Sequence, residues 1–245
     1  MSANLFIGTS GYTYSHWVGR FYPADLPRAR WLEFYAKHFN SVEINYTFYH
    51  IPRESTLKKW RQSAPEGFLF VLKASKLITH TKNWKSAGYL LWKFLKLSEI
   101  LQEKRGPILL QFPPSFRDKV ALENLLEHIK PGHKVAVELR NEDILEDEDV
   151  RQMLAGRNIA LCVSSSPRLR TYFIVTADFT YIRFHGARRM YSSSYTDDEL
   201  MPFVGFAGEQ LADGRDVFAY FNNDAEGYAI ENAVRFRELI SSHKM

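Results

Sequence analysis

Glu43, Glu138 and His185 are the side chains of this sequence best placed to move protons. In Ser41-Val42-Glu43-Ile44-Asn45-Tyr46 an extended strand alternates its faces, so Val42, Ile44 and Tyr46 share one side and Glu43 and Asn45 the other. The run Lys134 to Arg140 repeats the split, with Val135, Val137 and Leu139 opposite Ala136, Glu138 and Arg140. In Tyr181-Ile182-Arg183-Phe184-His185 the pair Ile182 and Phe184 opposes Arg183 and His185. Lys73 closes Phe68 to Leu72, Gln111 lies late in Ile108 to Phe112, Ser10 ends the run from Leu5, and Asn222 follows Val217 to Phe221. The polar groups thus gather at the C-terminal ends of their strands.

The two carboxylates can act as a general acid/base pair or as ligands of a hard cation. Lys73, Arg140 and Arg183 are equally what a buried ion-pair network needs to neutralise them, and the two roles are compatible. His185, on the inward face, and His80, after the third strand, can transfer protons near neutral pH or serve as hydrogen-bonded structural groups. Neither has the spacing of a zinc site. The loop Gly186 to Tyr195 combines Arg188 and Arg189 with three serines ahead of a capped helix, a composition suited to phosphate or to a solvated turn. Asn222-Asn223-Asp224 either adds amide donors there or caps the last helix, with Ser10 as a neighbour. Tyr12, Tyr14, Trp17, Phe48 and Tyr49 can stack a base or sugar ring, or form a packed roof.

Eight strands are predicted to begin near residues 5, 41, 68, 107, 134, 158, 180 and 216, with helices between most of them. The helices are predicted over 28–39, 54–63, 86–104 (stopping at Gly106-Pro107), 118–130, 146–154 and 225–240. Another follows Thr196, whose spacing to Glu199 is that of a capping box. The segment 167–177 reads as a loop or a short helix. Eight strand-helix units without linker or low-complexity tract predict a single α/β domain over residues 1–245, a closed (β/α)8 TIM-type barrel. The first strand lacks the glycine-rich fingerprint of a dinucleotide-binding open sheet.

At 245 residues the chain is close to the size of such a barrel, and its 45% hydrophobic content can fill the core. A formal charge of +4, from 32 Lys and Arg against 28 Asp and Glu, favours anionic partners only mildly. The lone Cys162 excludes an intramolecular disulfide and reads as a buried thiol. No signal-peptide core or membrane span is apparent, so a soluble cytoplasmic protein with no membrane partner is expected.

Several motifs carry a family resemblance. Gly8-Thr9-Ser10-Gly11-Tyr12 with Trp17, Gly19 and Phe21-Tyr22-Pro23, Val42-Glu43-Ile44-Asn45 with Thr47-Phe48-Tyr49, Thr79-His80, Gln111-Phe112-Pro113-Pro114-Ser115-Phe116, Val137-Glu138-Leu139-Arg140, Arg183-Phe184-His185-Gly186 and Tyr220-Phe221-Asn222-Asn223 resemble the motif set of the YecE-like barrels, domain of unknown function 72. The resemblance implies a TIM-type barrel and a site location, but no reaction. Two departures from the family pattern stand out: Asn141 follows Arg140 where many relatives would carry histidine, and Ser164-Ser165-Ser166-Pro167 lacks an acidic residue. Both argue against a metal-centred mechanism.

The leading expectation is an enzyme, a hydrolase or a lyase or isomerase, acting on an anionic and phosphorylated small molecule or nucleotide at the C-terminal mouth. Glu43, Glu138 and His185 would transfer protons. Arg140, Arg183 and Arg188 would hold the anion, with Ser10, Asn45, Lys73, His80, Gln111, Asn222 and Asn223 lining the site. The alternatives are a nucleic-acid-binding protein, nuclease or not, and a non-catalytic metabolite-binding barrel. The cofactor is unknown; a divalent metal is compatible with the carboxylates but has no ligand motif. The sequence does not define the oligomeric state.

Overall fold

Residues 3–243 are described by a computed structural model, so the outermost residues of the expected 1–245 domain lie outside it. The strands are β1 (Leu5–Thr9), β2 (Ser41–Ile44), β3 (Leu69–Lys73), β4 (Arg105–Gln111), β5 (Val135–Glu138), β6 (Ala160–Leu161), β7 (Val163–Ser165), β8 (Phe179–Phe184) and β9 (Asp216–Phe221). The helices are α1 (Trp31–Tyr35), α2 (Tyr46–Tyr49), α3 (Glu54–Ser63), α4 (Lys76–Thr79), α5 (Trp84–Ser98), α6 (Lys119–Leu126), α7 (Glu142–Leu145), α8 (Glu148–Gly156), α9 (Asp197–Ala212) and α10 (Tyr228–His243). All strand pairs within the sheets are parallel, as short strands with intervening helices require.

The strands form two sheets, ordered β2-β3-β4-β5-β6 and β1-β9-β8-β7. The expected sixth strand is split at Cys162. Its first half pairs with β5 and its second half with β8, so one run of chain serves both sheets. Thr176 covers the exposed edge of the first half, accepting from the Leu161 amide and donating to the Ile159 carbonyl, both at 2.7 Å.

At the other seam, side chains replace most of the ladder between β1 and β2. The buried Tyr35 hydroxyl accepts from the Thr9 amide at 2.8 Å and lies 3.3 Å from the Ser41 carbonyl. Asn40 bonds the amide of Ile7 and the carbonyl of Leu5, and the Gly11 amide donates to the Glu43 carbonyl at 2.7 Å. Gly8 is required there: a Cβ on it would lie 2.0 Å from the Ser41 carbonyl oxygen.

The alternation holds. Val42, Ile44, Phe70, Leu72, Leu110, Val137, Ile182, Phe184 and Phe221 belong to one core cluster, shared with helix residues such as Leu91, Leu122 and Phe236. Val71, Leu109, Ala136, Ala160, Cys162, Phe179, Tyr181, Phe218 and Tyr220 form a second, interior cluster. Glu54–Ser63 is helical as expected, and Thr196 and Glu199 close a reciprocal capping box on α9. The helix predicted over 86–104 instead breaks into a 3-10 segment, Glu99–Lys104, and Gly106-Pro107 lie inside β4. A Cβ at Gly106 would be 2.8 Å from the Val71 side chain, so close strand packing rather than helix termination explains that glycine. The first predicted helix is a 3-10 turn, Arg28–Arg30, followed by α1, and 167–177 carries no helix.

Tyr35→Phe removes the hydroxyl that joins β1 to β2 and leaves a buried amide without its partner. It is expected to cost about 1–3 kcal/mol and to lower the thermal midpoint by about 2–4 °C per kcal/mol. An unchanged midpoint would contradict the role given to this seam.

Candidate functional site

Three strands bring their polar residues together at the interior. Arg183 on β8 is fully buried, and its guanidinium reaches Glu43 on β2 at 2.6 Å and Glu138 on β5 through a second nitrogen. Glu43 is saturated: Ser10 Oγ donates to Oε1 at 2.7 Å and the Tyr181 hydroxyl to Oε2 at 2.7 Å. Burial alone would raise its pKa, but the charge and hydrogen bonds of Arg183, with those of Tyr181 and Ser10, hold it below the ordinary value. Tyr181 was not anticipated, because in sequence its ring reads as one more apolar position.

Glu138 is the hub. Arg140 Nε donates to its Oε1 at 2.7 Å, and His185 Nε2 lies 3.0 Å from the same oxygen. Against the burial that would raise it, Arg140, Arg183 and His185 keep this carboxyl well below its usual range. The imidazole of His185 also faces the Asn222 amide nitrogen through Nδ1, at 3.3 Å. One neutral tautomer satisfies both contacts, with Nε2–H donating to Glu138 and Nδ1 accepting from Asn222. Burial accordingly depresses the His185 pKa to about 4, only partly offset by Glu138. Two carboxylates and two guanidiniums balance in charge.

This network opens on one side into a cavity of about 490 Å³ lined by Glu138, Arg140, His185, Ser164, Arg168 and Tyr191 among others. Arg140, 20% exposed, is the charged group that spans from network to solvent, and its Nη1 lies 3.2 Å from the Tyr191 hydroxyl. Arg168, exposed on the loop after β7, has no acidic partner among the described residues and was not anticipated. Ser164, noted in sequence for standing where an acid was expected, forms part of the wall.

Lys73, at the end of β3, is nearly buried with its Nζ 4.1 Å from the centre of the Phe48 ring. Burial first, and the positive charge of Arg183 second, bring its pKa down to about 7. His80 caps α4 on the exposed side, edge-on to the same ring at 5.1 Å, and partial desolvation and the charge of Lys73 lower its pKa to about 4. Asn45 Nδ2 donates to the Ser10 carbonyl at 3.3 Å. Gln111 Nε2 donates to the Phe112 carbonyl at 2.8 Å.

Five of the expected site roles meet a different placement. Arg183 is not available to an anion, since it is fully buried against two carboxylates. Glu43 lines neither of the two cavities at this end and is held as a counter-ion. Arg188 points outward, 66% exposed, to Glu199 at 3.5 Å. Its loop is no phosphate cradle either: Ser193 Oγ already accepts from the Arg188 and Arg189 amides, both at 3.1 Å, and three acidic residues open the next helix. Asn223 is also structural, its amide nitrogen donating to the Ser193 carbonyl and to Asn232. Of the aromatic residues, Trp17 is buried as part of a packed roof. Tyr12, Tyr14, Tyr46, Tyr49 and Trp60 line a second pocket of about 440 Å³ beside Asn45. Among the described residues no three or more His, Cys, Asp or Glu side chains converge as a metal would require.

Arg183→Met strands two buried carboxylates and is expected to destabilise the fold by about 3–5 kcal/mol, whereas Arg188→Ala should stay within about 0.5 kcal/mol in denaturant titrations. Equal effects would contradict the placement. Lys73 adds a pH signature. Between pH 7 and 10.5 the unfolded chain keeps a proton that the folded chain has released, so this residue's contribution to stability rises with pH across that window. Lys73→Met should remove that rise from the thermal midpoint, and superimposable pH profiles would refute it.

Comparison with known proteins agrees with the motif resemblance. A family model described as "Protein of unknown function DUF72" matches residues 6–245. The chain is 24% identical over 269 residues to the UPF0759 protein YunF of Bacillus subtilis (strain 168), covering 96% of this chain and 94% of that one. It is 30% identical over 125 residues to the UPF0759 protein YecE of Escherichia coli, covering 50% and 46%. The crystal structure of a DUF72 family protein from Thermotoga maritima matches with a TM-score of 0.85 at 27% identity, over 97% of this chain and 99% of that chain. The chain belongs to the DUF72 family of proteins of unknown function.

Proposed function

We propose that this protein is an enzyme acting on an anionic small molecule, phosphorylated or carboxylated, bound in the cavity beside Glu138, Arg140 and His185. The observation that carries this reading is the arrangement of Arg140. It is fixed by Glu138 at one end and opens into a cavity whose wall also holds Arg168 and two serines. Pre-set guanidinium donors suit carboxylate and phosphate oxygens, because little ordering remains to be done on binding. His185, braced by Glu138 and Asn222, supplies a neutral imidazole at the cavity floor for proton transfer in a hydrolytic, lyase or isomerase step.

The architecture belongs to the same reading. The side-chain seam at β1 and β2 and the sixth strand shared between the sheets support one closed (β/α)8 barrel over residues 1–245, with the site at the strands' C-terminal ends. The likeness to the Thermotoga maritima protein supports it too. No helix among the described residues is long and apolar enough to cross a membrane. The single buried thiol suits a cytoplasmic setting.

Titration with inorganic phosphate and with pyruvate, followed by amide chemical shifts, tests the site. Arg140→Ala should weaken binding about 10- to 100-fold, as expected for a lost charge-assisted hydrogen bond, while Arg188→Ala leaves it unchanged. Equal binding by the Arg140→Ala variant would overturn the proposal. Steeply salt-dependent binding of nucleic acid that ignores Arg140 would favour the nucleic-acid alternative.

A further inference from the structure

Lys73 and Lys104 are both about nine-tenths buried, yet their surroundings differ. Lys104 Nζ donates to the carbonyls of Arg61, at 2.7 Å, and Ala64, which is how a structural lysine is satisfied. Among the described residues Lys73 Nζ has neither a carboxylate within ion-pair distance nor a carbonyl to donate to; it rests over the face of Phe48. Its backbone, by contrast, is held firmly, the Lys73 carbonyl accepting from Thr47 Oγ1 at 2.7 Å. The amine therefore sits at the C-terminal end of an inner strand, among charges that have already paired with one another.

We propose that Lys73 is a nucleophile that forms an imine with the carbonyl carbon of an anionic oxo compound, a 2-oxo acid or a phosphorylated aldehyde or ketone. This rests on the anion-binding reading of the mouth and names the substrate class within it. Burial and the nearby guanidiniums disfavour the ammonium, so a substantial fraction of the amine is neutral at physiological pH. The neutral nitrogen adds to the carbonyl carbon, and the carbonyl π electrons pass to oxygen, which takes up a proton. Loss of that oxygen as water leaves the protonated imine. Summed, an ammonium and a carbonyl give an iminium and one water, so charge and atoms balance without an added oxidant or reductant. The iminium keeps the positive charge at the position where the Phe48 ring face already meets one. His185 carries protons for the carbinolamine steps, and Arg140 holds the substrate's anionic group. The sheet register sets Lys73 level with Leu109 and Ala136, one same-face position before Glu138 two strands away.

The test is reductive trapping. The full-length protein is incubated separately with pyruvate, with glyceraldehyde 3-phosphate and with neutral acetaldehyde, reduced with borohydride, digested and mapped by mass spectrometry. Lys73 should be modified about tenfold or more above exposed lysines such as Lys76 and Lys93, and Lys73→Arg, with folding checked by circular dichroism, should abolish that excess. A preference for pyruvate or for the phosphorylated aldehyde identifies which anion the site takes. In Arg140→Ala, trapping of the anionic probes should fall by about tenfold while trapping of acetaldehyde persists. Phosphate or pyruvate binding that depends on Arg140, with no selective modification of Lys73 by any probe, overturns the imine and leaves the anion site standing. Selective modification of Lys73 that is equal for anionic and neutral probes and indifferent to Arg140 supports the nucleophile and overturns the anion site.

Discussion

The guanidinium of Arg183 is the interaction on which the arrangement of the interior depends. It projects from the four-stranded sheet, and both of its acceptors, Glu43 and Glu138, project from the five-stranded one. Removing three such charges from water carries a penalty of several kcal/mol per ion, and only near-complete pairing makes it tolerable. The surrounding donors supply that completeness: Ser10 and Tyr181 finish the shell of Glu43, while Arg140 and His185 finish that of Glu138. A network so heavily determined fixes the relative height of β2, β5 and β8, and with it the positions of the residues at their ends.

Saturation has a chemical consequence. A carboxylate held by two guanidiniums is a poor proton acceptor, and a guanidinium shared by two carboxylates is a poor ligand for an anion. In the proposed function reactivity therefore falls to the edge of the network, where Arg140 and His185 line the cavity and Lys73 lies without a counter-ion of its own. The interior core thus acts as a rigid base, and the functional reading belongs to its rim.

Much of this was legible in the sequence because strand alternation has a period of two. The facing of Glu43, Glu138, Arg183 and His185 followed from apolar neighbours at every second position, and the Thr196–Glu199 cap followed from spacing alone. What escaped has physical reasons. The conformation of the loop from Gly186 to Tyr195 has no periodic signature, so nothing foretold that Ser193 would occupy the amides of Arg188 and Arg189. Arg168 lies on a similarly aperiodic loop. Tyr181 and Tyr35 read as hydrophobic side chains, although their hydroxyls complete a carboxylate shell and a strand seam. The division of the sixth strand at Cys162 reflects a change of pairing partner, which local composition does not encode.

The most direct measurement of the central claim is the crystal structure of the protein soaked with an oxyanion such as phosphate. The anion is expected inside the cavity, within hydrogen-bonding distance of Arg140, with Arg183 still bound to Glu43 and Glu138. An anion seated on the Arg188 loop, or one that draws Arg183 away from its two carboxylates, would contradict it.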